Sequence, residues 1–443
     1  MNITVHRGLN QIGGCITEIS TDTSRVFIDM GQNLPGVGEP TTPEEDQRMV
    51  NEIFDKNRKQ HKAVIYTHTH EDHVGLFRYV PDDIPQFIGR GGLDILLARH
   101  EILLKKYERN FKDAKDSLEK ENSEQNQALL QRNTLIMSRF EYLVKRLQRF
   151  NTWERTKPHA APRAFMIGDI SITPFFNCHS AYDSYMLLIV ADGKRIWHMG
   201  DFREHGYLGK GLIPTIKRYA TDIDILITEG TMLSRGEKCI HEREVSRKMA
   251  SVMDAFKYVV VLASSTDIER LASIKEAAKK VKRDLYVCNA FMRKNMSIFT
   301  EREAKSSKGL FEFRPKFVYT GSPKIPAMQK CGFVLVAGPG QLDFVKGLCD
   351  GLDPAETLLI YSSWDGYYKD PEQVASNPQY KNFRDAFTNV VDIHTSGHAD
   401  RATLARVITT INPKESIISI HKDPNTSLKS LDISDELKKK VKE

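Results

Sequence analysis

The run Ala63-Val64-Ile65-Tyr66-Thr67 reads as a buried strand, and it passes without a break into His68-Thr69-His70-Glu71-Asp72-His73-Val74-Gly75. His68, His70, Asp72 and His73 thus place three imidazoles and a carboxylate within six residues. A strand end that opens into a loop lets such side chains converge on one point. Divalent metals of borderline softness take this mixture of nitrogen and oxygen ligands. Four donors in one tight segment point to two ions side by side. The bland alternative is a polar surface loop, and further candidates at other strand ends weigh against it.

Those candidates are His179 in Asn177-Cys178-His179-Ser180, Asp201 in His198-Met199-Gly200-Asp201-Phe202, and His421 in Ser419-Ile420-His421-Lys422. Each follows an apolar β run. Short strands are expected at Ile16–Ile19 and Arg25–Asp29, then at 170–176, 185–191, 194–199 and 223–228. Asp192-Gly193 signals a type I′ hairpin. Between Pro85 and Pro158 there is no proline. Leu104, Tyr107, Phe111, Ala114 and Leu118, then Leu129, Ile136, Phe140, Leu143, Leu147 and Phe150, repeat every three or four residues. This predicts a helical hairpin over about 95–150, one apolar face per arm. Its mixed charges read as a solvated outer face rather than a nucleic-acid arm.

From about residue 231 the pattern changes to strand–helix–strand. Strands are expected at 258–263, 285–288, 333–336 and 357–361, with helices between, one opened by a capping box at Thr266-Asp267-Ile268-Glu269. Such alternation implies a parallel α/β sheet. Two further strands, 390–393 and 416–420, flank a helix from Arg401 to about Thr410.

The chain has 443 residues, enough for two or three domains, and a formal net charge of +6. That mild excess is compatible with a polyanionic substrate and equally with an ordinary soluble enzyme. No apolar run reaches the roughly 18 residues of a membrane span, and no secretory pattern opens the chain. Six scattered cysteines without a CxxC pair read as reduced thiols in a cytoplasmic protein.

The order HxHxDH, His179, Asp201, His421 resembles the metallo-β-lactamase superfamily, and Asp29 resembles its early strand-end aspartate, which supports the metal loop without being a ligand. Glu229 in Thr228-Glu229-Gly230-Thr231, His398 in Thr395-Ser396-Gly397-His398-Ala399, and His421 match in order the three extra motifs of the nucleic-acid-processing β-CASP group. The nearest likeness is to ribonuclease J and its relatives, through His179-Ser180-Ala181-Tyr182-Asp183, Gly200-Asp201-Phe202-Arg203 and Ser396-Gly397-His398-Ala399. The resemblance implies an α/β fold: an αββα sandwich carrying the helical hairpin and an inserted parallel β-CASP domain. It places the first part of the sandwich domain at 1–230, the β-CASP domain at 231–388 and the returning part at 389–443. The hairpin is longer than expected for ribonuclease J. Only a short stretch follows His421 in this sequence, so a counterpart of the C-terminal domain of bacterial ribonuclease J is not expected, and oligomerisation through it is not assumed. Cys15 stands where many relatives carry another residue.

The resemblance further implies a metal-dependent ribonuclease, endo- or 5′→3′ exonucleolytic, with two divalent ions, Zn²⁺ or Mn²⁺. His68, His70 and His179 would hold one ion, Asp72, His73 and His421 the other, and Asp201 would bridge them. A shared hydroxide would attack the phosphodiester in line and leave 5′-phosphate and 3′-hydroxyl ends. Asp72 would also orient the nucleophile. Glu229 would accept a hydrogen bond from a ligand histidine. His398 would act on the scissile phosphate, with Ser396 helping to cradle it; the competing reading of His398 is a core or capping histidine. His394 reads as structural. Arg235, Lys238, Arg293 and Lys294 are candidates to track the backbone of a single-stranded RNA in the cleft between domains. Homo-oligomers and RNA-decay partner proteins stay open; a membrane partner is not expected. Two rivals remain: an ester or cyclic-phosphodiester hydrolase on the same fold, and a non-catalytic RNA-binding scaffold. The large insert, Glu229 and His398 argue against the first. The complete ligand set argues against the second.

Overall fold

A computed structural model describes residues 1–38, 40–55, 60–155, 162–236, 238–303 and 309–442. Its strands form three sheets. The first is six-stranded and runs in chain order from Asn2–Arg7 to Asn151–Trp153, antiparallel at its start and parallel from Ser24–Ile28 onward. The second is seven-stranded. Its antiparallel half ends in Ser184–Ala191 and Lys194–His198, and Ile225–Glu229, Ser416–Ile420 and Val441–Lys442 then add in parallel. Asp192 and Gly193, which turn the hairpin between two of these strands, have φ of 47° and 73°, the pair of positive angles a type I′ turn needs.

Alternation along each strand assigns the layers. Val26, Ile28, Ala63 and Ile65 of the first sheet share one core with Ile189, Ile196, Ile225 and Ile227 of the second. The residues between them face outward. Phe27 and Val64 pack under Val50, Phe54, Leu93 and Leu147 of flanking helices. Trp197 and Leu226 pack under Ile216, Leu404 and Val407. The result is helix, sheet, sheet, helix.

The third sheet is wholly parallel, in the order Lys316–Phe317, Leu285–Val287, Phe333–Ala337, Tyr258–Leu262, Thr357–Tyr361, Val390–Asp392. Val259 and Val261 meet one helical layer while Val260 and Leu262 meet the other, as expected for strands buried on both faces. Two sequence expectations need correction. The strand Val390–Asp392 pairs with Thr357–Tyr361, so the α/β unit runs past the boundary placed at 388. The helix Ile268–Lys280 is capped by Asp267, whose carboxylate accepts from Arg270 N at 3.1 Å, rather than by Thr266.

The hairpin consists of Arg90–Lys120 and Glu124–Leu147. Tyr107 and Phe140 stack between its arms at 5.4 Å. Two leucines of the second arm are turned to solvent, Leu129 44% and Leu135 73% exposed. The base is rooted in two cores: Leu93 and Leu96 in that of the first sheet, Ile95 and Ala98 in that of the third.

Candidate metal centre

Every candidate ligand lies at or just beyond the carboxyl end of a strand. His61–Ile65 leads to His68, His70, Asp72 and His73; Ile170–Asn177 to His179; Lys194–His198 to Asp201; Ser416–Ile420 to His421. Asp29 and His421 turn the chain there in left-handed conformations, with φ of 63° and 51°, an uncommon state for side chains with a Cβ.

These ends converge on one carboxylate oxygen. Asp201 Oδ2 lies 3.2 Å from His73 Nε2, 3.5 Å from His421 Nε2, 3.8 Å from His179 Nε2, 3.8 Å from His398 Nδ1 and 3.9 Å from His68 Nε2. Around it the side chains form two groups. In one, His179 Nε2 is 3.2 Å from His70 Nδ1, beside His68. In the other, Asp72 Oδ2 is 3.0 Å from His421 Nε2 and 3.7 Å from His73 Nε2.

The outer nitrogens of four histidines are already committed. His73 Nδ1 donates to Asp29 Oδ2 at 2.7 Å, and His179 Nδ1 to Gly397 O at 2.7 Å. His68 Nδ1 pairs with Thr67 Oγ1 at 3.0 Å, and His421 Nδ1 with Thr231 Oγ1 at 2.8 Å. Thr67 in turn is held by Asp29, which accepts from both its backbone N and its hydroxyl. All four rings therefore turn Nε2 inward, the arrangement by which proteins orient metal-binding imidazoles. His68 Nε2 and His73 Nε2 are buried and make no hydrogen bond. Metal bonds of about 2.0–2.2 Å set neighbouring ligand atoms roughly 3–4 Å apart, the spacing found here. These groups could hold a metal ion.

Burial and charge divide the two groups. His68 and His179 are held well below the usual imidazole range, first by burial and then by the neighbouring imidazoles. Burial brings His70 down to about 4. Asp72 moves the other way from what burial alone would do and falls to about 2, because His73 and His421 stand against it. His73 and His421 are raised against the same burial, with Asp201 the largest raising influence on both.

Glu229 departs from the expected arrangement. Its Oε2 accepts from His398 Nδ1 at 2.8 Å, and Oε1 accepts from Phe202 N at 3.0 Å. Its histidine partner is thus His398, and the two form with Asp201 and His421 a further group whose ligand atoms lie within 4.8 Å of one another. His398 is partly open, with 19% side-chain exposure, and its backbone N donates to Ser396 Oγ at 3.1 Å. Both His398 and Ser396 line a cavity of about 430 Å³ between the layered body and the third sheet. Its far wall is aromatic. Tyr367 and Tyr380 stack at 4.2 Å, and the Arg235 guanidinium lies 4.2 Å over the Trp364 ring.

Of the four basic candidates, Arg235 lines this cavity and Lys238 an adjoining one, whereas Arg293 and Lys294 face a separate groove against the hairpin. His394 is half-buried, lines the same cavity 3.1 Å from Arg270 Nη1, and desolvation, reinforced by that guanidinium, pushes it down to about 3. Sequence reasoning missed Thr67 and Thr231, which carry no pattern of their own. It also missed the Trp364–Tyr367–Tyr380 wall, where Trp364-Asp365-Gly366-Tyr367 was the available signal.

The protein is a mixed α/β fold with a buried histidine–aspartate cluster at the mouth of an inter-sheet cavity. No protein-family profile matches the chain. A crystal structure of a protein of unknown function from Enterococcus faecalis V583 is similar over 95% of this chain and 94% of that one, with a TM-score of 0.64 at 18% identity. At that identity the likeness speaks for the fold alone.

Proposed function

We propose that this protein is a metal-dependent ribonuclease of the β-CASP type, with the four-layer body as its metallo-β-lactamase sandwich and the third sheet as its inserted domain. The observation that carries the reading is the His398–Glu229 pair. Its His398 is partly open and lines a cavity large enough for a nucleotide, and the pair lies within reach of Asp201 and His421, beside groups that could hold metal. A metal-storage site has no use for such a pair; a phosphodiester hydrolase does.

His68, His70 and His179 would hold one ion, Asp72, His73 and His421 the other, with Asp201 between them. When bound, the two ions lower the pKa of water and offset charge developing on phosphorus. Asp29, Thr67 and Thr231 fix the imidazoles that hold them. Glu229 accepts a hydrogen bond from His398 Nδ1–H, and with the ring also protonated at Nε2, that Nε2–H faces the phosphate and donates to a nonbridging oxygen or the leaving 3′-oxygen. Trp364, Tyr367 and Tyr380 offer stacking faces for bases, which suits a single strand. By the resemblance, histidine at position 421 favours RNA over DNA.

The test is cleavage of a 3′-labelled single-stranded RNA, bearing 5′-monophosphate or 5′-triphosphate, by wild type, His398→Ala and chelator-treated protein. Metal-dependent cleavage lost in the variant is expected, and a 5′-monophosphate preference would mark an exonuclease. No cleavage by protein shown to hold metal would overturn the reading in favour of another hydrolase.

A further inference from the structure

Cys15, the residue before the strand Ile16–Ser20, is 2% exposed. Its Sγ lies within 4.8 Å of a nitrogen on His73 and of one on His421. The backbone fixes it there. Cys15 N donates to Asp72 O at 2.9 Å, and Gly31 N donates to Cys15 O at 2.9 Å. On its other side a Cβ on Gly8 would come 3.1 Å from Sγ, and Gly8 O accepts from His421 N at 2.6 Å. The sulfur is therefore stapled between the loop that carries Asp72 and His73 and the turn that carries His421. Among the described residues Sγ has no hydrogen-bond partner. His73 Nε2, buried and without a hydrogen bond, is the second atom of this corner left for an ion to satisfy.

We propose that Cys15 Sγ is a ligand of the ion held by Asp72, His73 and His421, and that it biases this position toward thiophilic divalent ions, Zn²⁺ above all, and against Mn²⁺ and Mg²⁺. The inference rests on the two-ion reading of the centre and goes beyond it by choosing the metal. Imidazole and carboxylate alone accept Zn²⁺ or Mn²⁺ alike, whereas a thiolate selects the softer ion. On loading, the thiol S–H bond breaks, its proton passes to solvent, and the sulfur lone pair forms the bond to the metal.

The test uses the full chain loaded with Co²⁺, whose thiolate complexes absorb in the near ultraviolet through sulfur-to-metal charge transfer. Wild type and Cys178→Ser, whose Sγ is engaged with Glu269 at 3.1 Å, are expected to show the band. Cys15→Ser is expected to bind two equivalents of Co²⁺ without it, and to lose at least about tenfold in its preference for Zn²⁺ over Mn²⁺ by competition. Two bound Co²⁺ in wild type with no band would overturn the proposal and leave the two-ion centre standing. Failure of wild type to bind Co²⁺ at all would remove both. Should Cys15→Ser not fold, the wild-type and Cys178→Ser spectra still decide: a band lost with Cys178 assigns the sulfur there instead.

Discussion

Asp29 shows how one residue can set a whole centre. Its left-handed backbone turns a strand end, one oxygen accepts from Thr67 N, and the other accepts from His73 Nδ1. Asp29→Ala is expected to weaken metal binding about 10–100-fold while leaving the far-ultraviolet circular dichroism unchanged, as read by metal titration. On the proposed reading, Glu229→Gln should lower kcat with KM nearly unchanged, because it removes the support of His398 rather than a contact to substrate. Away from the centre, Glu18 accepts from Arg25 at 2.7 and 2.8 Å and pairs with His6 at 2.7 Å. Burial opposes its ionisation, but these partners prevail and bring it from 4.5 down to about 2. A depressed carboxylate contributes stability above its unfolded pKa and loses it as pH falls. The stability gap between wild type and Glu18→Gln, measured by urea unfolding, should be full above about pH 4.5 and closed near pH 2. The candidate ligands were legible because they follow apolar runs, and a strand end is a local signal. Thr67 and Thr231 were not, since a hydroxyl that aims an imidazole looks like any other threonine until the chain is folded.

At the scale of elements, the hairpin divides into a rooted base and a free end. Leu93, Leu96, Leu143 and Leu147 are buried in the core beneath the first sheet, whereas Leu129, one turn past the tip, is exposed. Replacing residues 110–134 by a short Gly-Ser turn should therefore shift Tm by less than about 4 °C and leave metal stoichiometry intact; a collapse of Tm would show that the tip supports the fold. Helical periodicity made both arms readable, since each is long enough to repeat its apolar face many times. Gln86–Gly89, Asn151–Trp153 and Phe165–Ile167 carry only three or four residues each, too few to establish a period, and they were missed. The misplaced cap at Thr266 has a related cause. Threonine and aspartate are both good caps, and only the hydrogen bond from Arg270 N to Asp267 decides between them.

The whole molecule is joined by charge that no local pattern reveals. Arg203, from the loop that carries Asp201, reaches Glu242, Asp267 and Glu269 of the α/β unit at 3.2, 2.9 and 2.9 Å. Arg270 returns from that unit to Thr395 O at 3.0 Å while pairing with Glu242 at 2.9 Å. Removing one cation strands buried carboxylates, so Arg203→Met should cost about 3–5 kcal/mol in denaturant unfolding and widen the cavity between the sheets. In sequence these residues are ordinary surface charges, far apart in the chain. The same distance in the chain has a consequence for how the protein is born. His68, His70, Asp72, His73, His179 and Asp201 emerge from the ribosome early, but Ser416–Ile420 must slide in beside Ile225–Glu229 before His421 arrives. A chain interrupted before residue 398 lacks both His398 and His421, and one interrupted between 398 and 421 lacks His421. The cluster is therefore completed only once Ser416–Ile420 has paired with Ile225–Glu229.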